Sequence, residues 1–192
     1  MKKFLIIAFF ILTVSYGAFC KLTVLSGRNN LLMLKGAKPV YLFLTFNNLL
    51  IYNTPIDQFI AKINKDKVNV WKVTKSSLIE DYKDNVYDTL KLHKGWDIKY
   101  VERLSDAKKG FVIILNYDYD NPVPPVGANG QATGTIYRIG QKNPIAQFRI
   151  NSYFFQYWDI KVNFHGFGAY FMEEIHFNFL NHINKNRVKS IK

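Results

Sequence analysis

The chain has 192 residues, of which 48% are hydrophobic and 21% charged, with a formal net charge of +12. This balance excludes a disordered polar chain and suits one domain with a real core. A single cysteine excludes an intramolecular disulfide, and the basic excess points to an anionic neighbour or to a lysine-rich proteome.

Met1-Lys2-Lys3 is a short basic start, Phe4 to Val14 is apolar apart from Thr13, and Ser15 to Cys20 brings small residues. This order predicts a signal peptide over residues 1–20. The apolar run is shorter than the about 20 residues a spanning helix needs. A buried N-terminal strand or helix is the alternative. Cleavage fits after Gly17, with Ser15 and Gly17, or after Cys20, with Ala18 and Cys20. Lipidation at Cys20 is a lesser alternative, because Gly17 and Phe19 stand where a lipoprotein signal has a Leu-like and a small residue. The expected product is a secreted, periplasmic or outer-envelope chain over 21–192, with a charge of +10. Export disfavours nucleic acid as a partner.

Lys21 to Ser26 alternates weakly, Gly27 to Asn30 is turn material, and Leu31 to Leu34 is a short apolar run. Val40–Phe46 is β-rich and apolar on both faces, hence a central strand. Thr54 as cap, Pro55 in the first turn and Asp57 near the dipole predict a helix over 55–65 burying Ile56, Phe59, Ile60 and Ile63. A second helix is expected over 70–93, with Trp71, Leu78, Tyr82, Val86 and Leu90 in one stripe and a solvated opposite face. Gly95 ends it. Trp96–Val101 alternates as a strand with one wet face.

The most strongly patterned stretch is Gly110 to Ser152. It reads as a strand over 110–120, a Pro-Gly loop over 121–130, and strands over 131–139 and 144–152. Residues 153–158 form an aromatic run, read as loop or short strand. Gly166-Phe167-Gly168 leads into a last helix from Ala169, with Phe171, Ile175 and Phe179 in one stripe. A basic tail over about 185–192 is expected to fray. Together these predict one α+β domain. Its mixed, largely antiparallel sheet takes Val40–Phe46, Trp96–Val101, Phe111–Tyr117, Ala132–Ile139 and Ile145–Asn151, and three helices, at 55–65, 70–93 and 169–184, cover it.

The opening Val24-Leu25-Ser26-Gly27, Leu31 to Lys35, the Val40–Phe46 strand before a helix and Trp71, the 134–148 segment and Gly168-Ala-Tyr-Phe resemble a family of small uncharacterised exported bacterial proteins. More distantly, residues 111–183 are similar to the curli-secretion and TolB N-terminal type of envelope domain. The resemblance implies an export signal and an α/β envelope domain, and it carries over no catalytic residue.

Asn116, Asp118 and Asp120 alternate, which puts their oxygens on one face as candidate ligands of a hard cation. The calcium-loop Gly and distal Glu are missing, so a polar strand end is the better reading and no metal is expected. Glu173 and His176 make one Glu-x-x-His pair, whereas a di-iron centre needs two pairs and two further carboxylates. Neither a Gly-x-Ser-x-Gly elbow nor a phosphate loop is present. No enzyme activity and no cofactor are expected. The aromatic run over 153–158 reads first as core; exposed, it is the candidate binding surface, Tyr153, Phe154, Phe155, Tyr157 and Trp158, with Arg149 and Lys161 on its rim. The expected role is an envelope interaction or assembly module with a protein partner. The alternative is a binder of anionic glycan or lipid headgroups.

Overall fold

A computed structural model describes residues 19–65, 73–122, 127–154 and 160–191. Its mixed sheet has eight strands: β1 (Phe19–Ser26), β2 (Val40–Thr45), β3 (Leu50–Ile51), β4 (Thr54–Pro55), β5 (Ile98–Tyr100), β6 (Phe111–Pro122), β7 (Ala128–Arg138) and β8 (Ala146–Phe154). The main order is β1-β8-β7-β6-β2-β5, with the small β3–β4 ribbon beside the end of β6. β2 runs parallel to both β5 and β6, while β6, β7, β8 and β1 pair antiparallel. The α+β architecture with a mixed sheet is therefore the one the sequence pattern predicts.

Helix α1 (Ile56–Lys65), α2 (Lys75–Leu92) and α3 (Ile160–Glu174) are the main helices. α3 continues through a π-helical turn at Ile175–Leu180 into the short α4 (Asn181–Asn184). The β2 residues Val40, Leu42 and Leu44, with Ile113, Leu115 and Tyr117 of β6 and Phe148 and Ile150 of β8, join Leu78, Tyr82, Phe171 and Phe179 of the helices in one buried core. Tyr82 and Tyr117 stack at 5.1 Å, and Phe46 and Phe171 meet Tyr117 edge-on. These rings fill the space between sheet and helices, as the aromatic composition implies.

Several boundaries differ from the sequence expectation, each for a local reason. α2 starts at Lys75 rather than 70, because Thr74 takes the N-cap: its side chain accepts from Ser77 N, and the Ser77 side chain accepts from Thr74 N. Trp71 lies outside the described residues. Thr54 does not cap α1. It pairs with Ile51 in the β3–β4 ribbon, and the helix begins one residue later than Pro55. The Trp96–Val101 strand shrinks to Ile98–Tyr100, because Trp96 closes a turn by donating its N–H to His93 O. Residues 28–34, read as turn material followed by a short apolar run, form a 3-10 helix.

The last helix does not wait for Ala169. Gly166 and Gly168 lie inside α3. A Cβ on Gly168 would come within 2.9 Å of Tyr82 O, so this glycine lets α3 approach α2 rather than opening a helix. The basic tail is held, not frayed: Val188 and Ile191 are buried around a 3-10 turn. At the other end β1 opens at Phe19, and Phe19 and Cys20 pair with Tyr153 and Ser152. Among the described residues, no helix is long and apolar enough to cross a membrane.

Candidate functional site: the open face of the sheet

All three main helices contribute to the core on one face of the sheet. Among the described residues, the other face holds a small apolar patch, formed by Tyr41, Val112, Val101 and Ala107, with Phe43, Ile114 and Tyr137 packed against it. Beyond that patch the described residues of the face are polar, with Lys21, Arg149 and Asn151 exposed and Thr23, Thr45, Asn116, Gln131 and Thr133 half-buried. Side chains alternate along each strand, so Thr45 of β2, Asn116 of β6, Thr133 and Gln131 of β7, Arg149 and Asn151 of β8, and Lys21 and Thr23 of β1 all lie on it. Thr23, Arg149, Thr133 and Asn116 are register partners across four strands, and Lys21, Asn151 and Gln131 form the next row.

The centre of this face is internally hydrogen-bonded. Asn116 Oδ1 accepts from Thr45 Oγ1 (2.9 Å) and from Asn47 N (2.8 Å), and its Nδ2 donates to Asn47 O (3.1 Å) and to Asp118 Oδ1. Thr133 Oγ1 donates to Asp118 Oδ2 at 2.5 Å. The Asp118 carboxylate is thus occupied by an amide and a hydroxyl, and the set presents a fixed polar surface rather than an open ligand cage.

The expectation that Asn116, Asp118 and Asp120 share one face is corrected by a β-bulge. Tyr117 pairs with Ala132 and Tyr119 with Gln131, leaving Asp118 as the extra residue. The bulge reverses the alternation, so Asp120 turns to the helix side. There it is fully buried, and Tyr117 Oη donates to its Oδ2 at 3.0 Å while Oδ1 has no partner among the described residues. Burial pushes the carboxyl up to about 8, with the Tyr117 hydrogen bond opposing. Three acids in alternation therefore do not converge.

A second buried acid, Glu174, was not singled out by sequence reasoning. Glu174 is 5% exposed, accepts from Leu22 N at 2.9 Å and from Asn178 Nδ2, and so ties α3 to the edge strand β1. Burial raises its pKa, against the lowering effect of those two donors and of His182. Cys20 faces the same region, and burial, with Glu174 next, pushes its thiol up to about 12. Such a thiol is protonated at neutral pH and a poor nucleophile. Glu173 is exposed, and His176 stacks on Trp96. Among the described residues no group of three or more His, Cys, Asp or Glu is placed to hold a metal ion.

A cleft of about 600 Å³ opens beyond the end of β2, lined by Phe46, Asn47, Asn48, Leu49, Pro55, Ile56, Asp57 and Lys75. Its two charges are joined to each other, Lys75 Nζ to Asp57 Oδ2 at 3.0 Å.

The residues proposed as a binding surface fall in different places. Arg149 is exposed on the open face, and Tyr153, four residues on along β8, has the same orientation and is half-buried. The Tyr153 ring occupies the space where a Cβ on Gly127 would lie, 2.6 Å from its Oη. Phe154 is the last residue of β8, and Lys161 lies in the first turn of α3. Phe155, Tyr157 and Trp158 lie outside the described residues. Lys21, which the pattern did not single out, joins Arg149 on the open face, and pairing register is what places it there.

No family model and no curated protein matches the chain. Among solved structures, two dodecamers of PelC from Paraburkholderia phytofirmans, one a single-site variant, are similar over 83% of this chain and 97% of theirs. Identity is 7% and the TM-score 0.40 for each, a likeness too slight to transfer fold or function.

Proposed function

We propose that the protein is an exported, non-enzymatic module of the cell envelope that binds a partner protein through the open face of its sheet. The observation that carries this reading is the division of labour between the two faces. One holds the helices and the core; the other offers registered rows of Thr, Asn, Gln and Arg whose centre is already hydrogen-bonded. A rigid, satisfied surface loses little entropy and strands few polar groups when a partner covers it. The acids that could serve chemistry, Asp120 and Glu174, are instead buried in the core. The signal-like N-terminus and the resemblance to exported envelope domains support the location.

A photo-crosslinking residue at Gln131 or Asn151 tests the reading in intact cells. A defined protein adduct is expected, and Arg149→Glu should weaken the interaction about ten-fold. Failure to recover any protein would end the proposal. Lys21 and Arg149 beside Tyr153 favour a second reading, recognition of an anionic glycan by the same face. That reading expects retention on envelope fractions to fall steeply with salt.

Processing offers a separate test. Phe19 and Cys20 are paired in β1, and the Cys20 thiol points at Tyr170 O (3.8 Å). This supports cleavage after Gly17, without lipid on Cys20. N-terminal sequencing of the exported chain should begin at Ala18; a start at Lys21 or a lipid-modified Cys20 would refute it.

A further inference from the structure

The main sheet ends on two strands of unequal length. β5 covers three residues, Ile98–Tyr100, and β1 covers eight, Phe19–Ser26. Among the described residues β1 pairs on one side alone, with β8. In an antiparallel pair, residues that bond to the neighbouring strand alternate with residues whose N–H and C=O turn away. The Leu22 N–H reaches Glu174 Oε1 at 2.9 Å, so Leu22 is of the second kind. Cys20 and Val24, in step with it on either side, turn outward too. Such an outward row is a template for a further strand. α3 lies along it, for the Cys20 thiol meets Tyr170 O at 3.8 Å, one turn before Glu174. Asn178 Nδ2 donates to the other Glu174 oxygen and steadies the carboxyl, and Leu22 and Glu174 are both buried.

We infer that Glu174 is an autoinhibitory contact: its carboxyl occupies the outward Leu22 N–H and keeps a second copy of this chain from adding its own β1 to the edge. The outward row is self-complementary. Two copies turned about a two-fold axis at Leu22 set Cys20 of one opposite Val24 of the other, and each Leu22 carbonyl opposite the other Leu22 N–H. With Glu174 in place, its oxygens stand in that gap, acceptor against acceptor, and the N–H that the incoming carbonyl needs is already taken. Opening the gap would also strip a buried carboxyl of its donor. The short β5 edge offers too few backbone groups to need such a device. The contact is separate from the open face, which presents side chains rather than the strand edge.

Sedimentation velocity across a series of protein concentrations tests it, with the purified chain and two variants. Glu174→Ala removes the acceptor and opens the gap. Glu174→Gln keeps an oxygen for the Leu22 N–H, and Asn178 can turn its own oxygen to the new amide. The Ala variant is expected to self-associate at a concentration about ten-fold lower than the native chain does. The Gln variant is expected to sediment as the native chain. An unchanged far-UV spectrum shows that a variant folds, and Glu174→Met, which keeps the bulk of the side chain, takes the place of Ala if Ala does not. Hydrogen exchange locates the contact: in the Ala variant the Leu22 amide should exchange faster than in the native chain when dilute, and become protected as concentration rises. An Ala variant that sediments like the native chain at every concentration overturns the inference. So does a Gln variant that associates as readily as Ala, or an association that leaves the Leu22 amide unprotected.

Discussion

Replacing Asp120 with Asn is expected to make the protein more stable than the native chain at pH 8 and to leave its stability little changed near pH 4. Asp120 is fully buried and its carboxyl is pushed up to about 8 from an ordinary 3.8. Between those values the folded state keeps a proton that the unfolded state releases. The stabilising contribution of the neutral carboxyl is therefore complete below about pH 4, drains away as pH rises toward 8, and is gone above that. The interval corresponds to roughly 6 kcal/mol at most. Asn keeps an oxygen to accept from Tyr117 Oη and has no charge to desolvate. Denaturant midpoints at intervals from pH 4 to 9 check this. The difference between variant and native chain cancels titrations common to both, Glu174 included. A difference that stays flat with pH would show that Asp120 is ionised in the fold.

Gly27→Ala is expected to destabilise the fold by roughly 4 kcal/mol, and Gly36→Ala by only about 1 kcal/mol. The two glycines have nearly the same backbone, φ 71° and 73°, so both substitutions carry the same left-handed strain. They differ in space. A Cβ on Gly27 would lie 2.0 Å from Ile145 O and 2.7 Å from Ala146 Cα, while nothing stands within 4 Å of one on Gly36. Backbone cannot swing aside as a side-chain tip can. The Ile145 carbonyl also accepts from Asn30 Nδ2 at 2.9 Å, so movement there would loosen the join between the 3-10 helix and β8. Thermal unfolding of the pair separates the clash from the strain, at roughly 2–4 °C per kcal/mol for a chain of this size. Equal losses would mean that the Ile145 segment yields freely.

The strands were legible where the sequence is locally emphatic. Val40–Thr45, Phe111–Tyr117 and Ala146–Asn151 combine β-branched and aromatic residues with period-two burial, and each lies in the sheet as expected. What stayed hidden depends on partners far along the chain. The bulge at Asp118 exists only relative to β7, so alternation alone placed Asp120 on the wrong face. Gly168 looked like a helix boundary because the approach of α3 to Tyr82 is not written nearby. Thr54 had every attribute of a cap and was taken by a two-residue ribbon instead. Arg149 and Tyr153 could be named as candidates for binding, but their shared orientation with Lys21 follows from register, which no single segment encodes. The stack of Trp96 between His93 and His176 joins two elements 80 residues apart, and no local signal announces it.

The edge position of β1 sets a timetable for folding. Leu22 lies opposite Ile150, and its amide reaches Glu174, 152 positions later. A chain delivered N-terminus first, from a ribosome or through a translocon, has no partner for its first strand until nearly everything else has emerged. The β6–β7–β8 meander can assemble from neighbouring segments, because its contacts are short-range. β1 then closes the sheet last, together with α3, which carries Glu174. Until that moment Leu22 and Val24 are exposed on an unpaired segment, the state in which strands pair with the wrong neighbour. Lys21, outward-facing on that strand, disfavours such pairing while the chain waits.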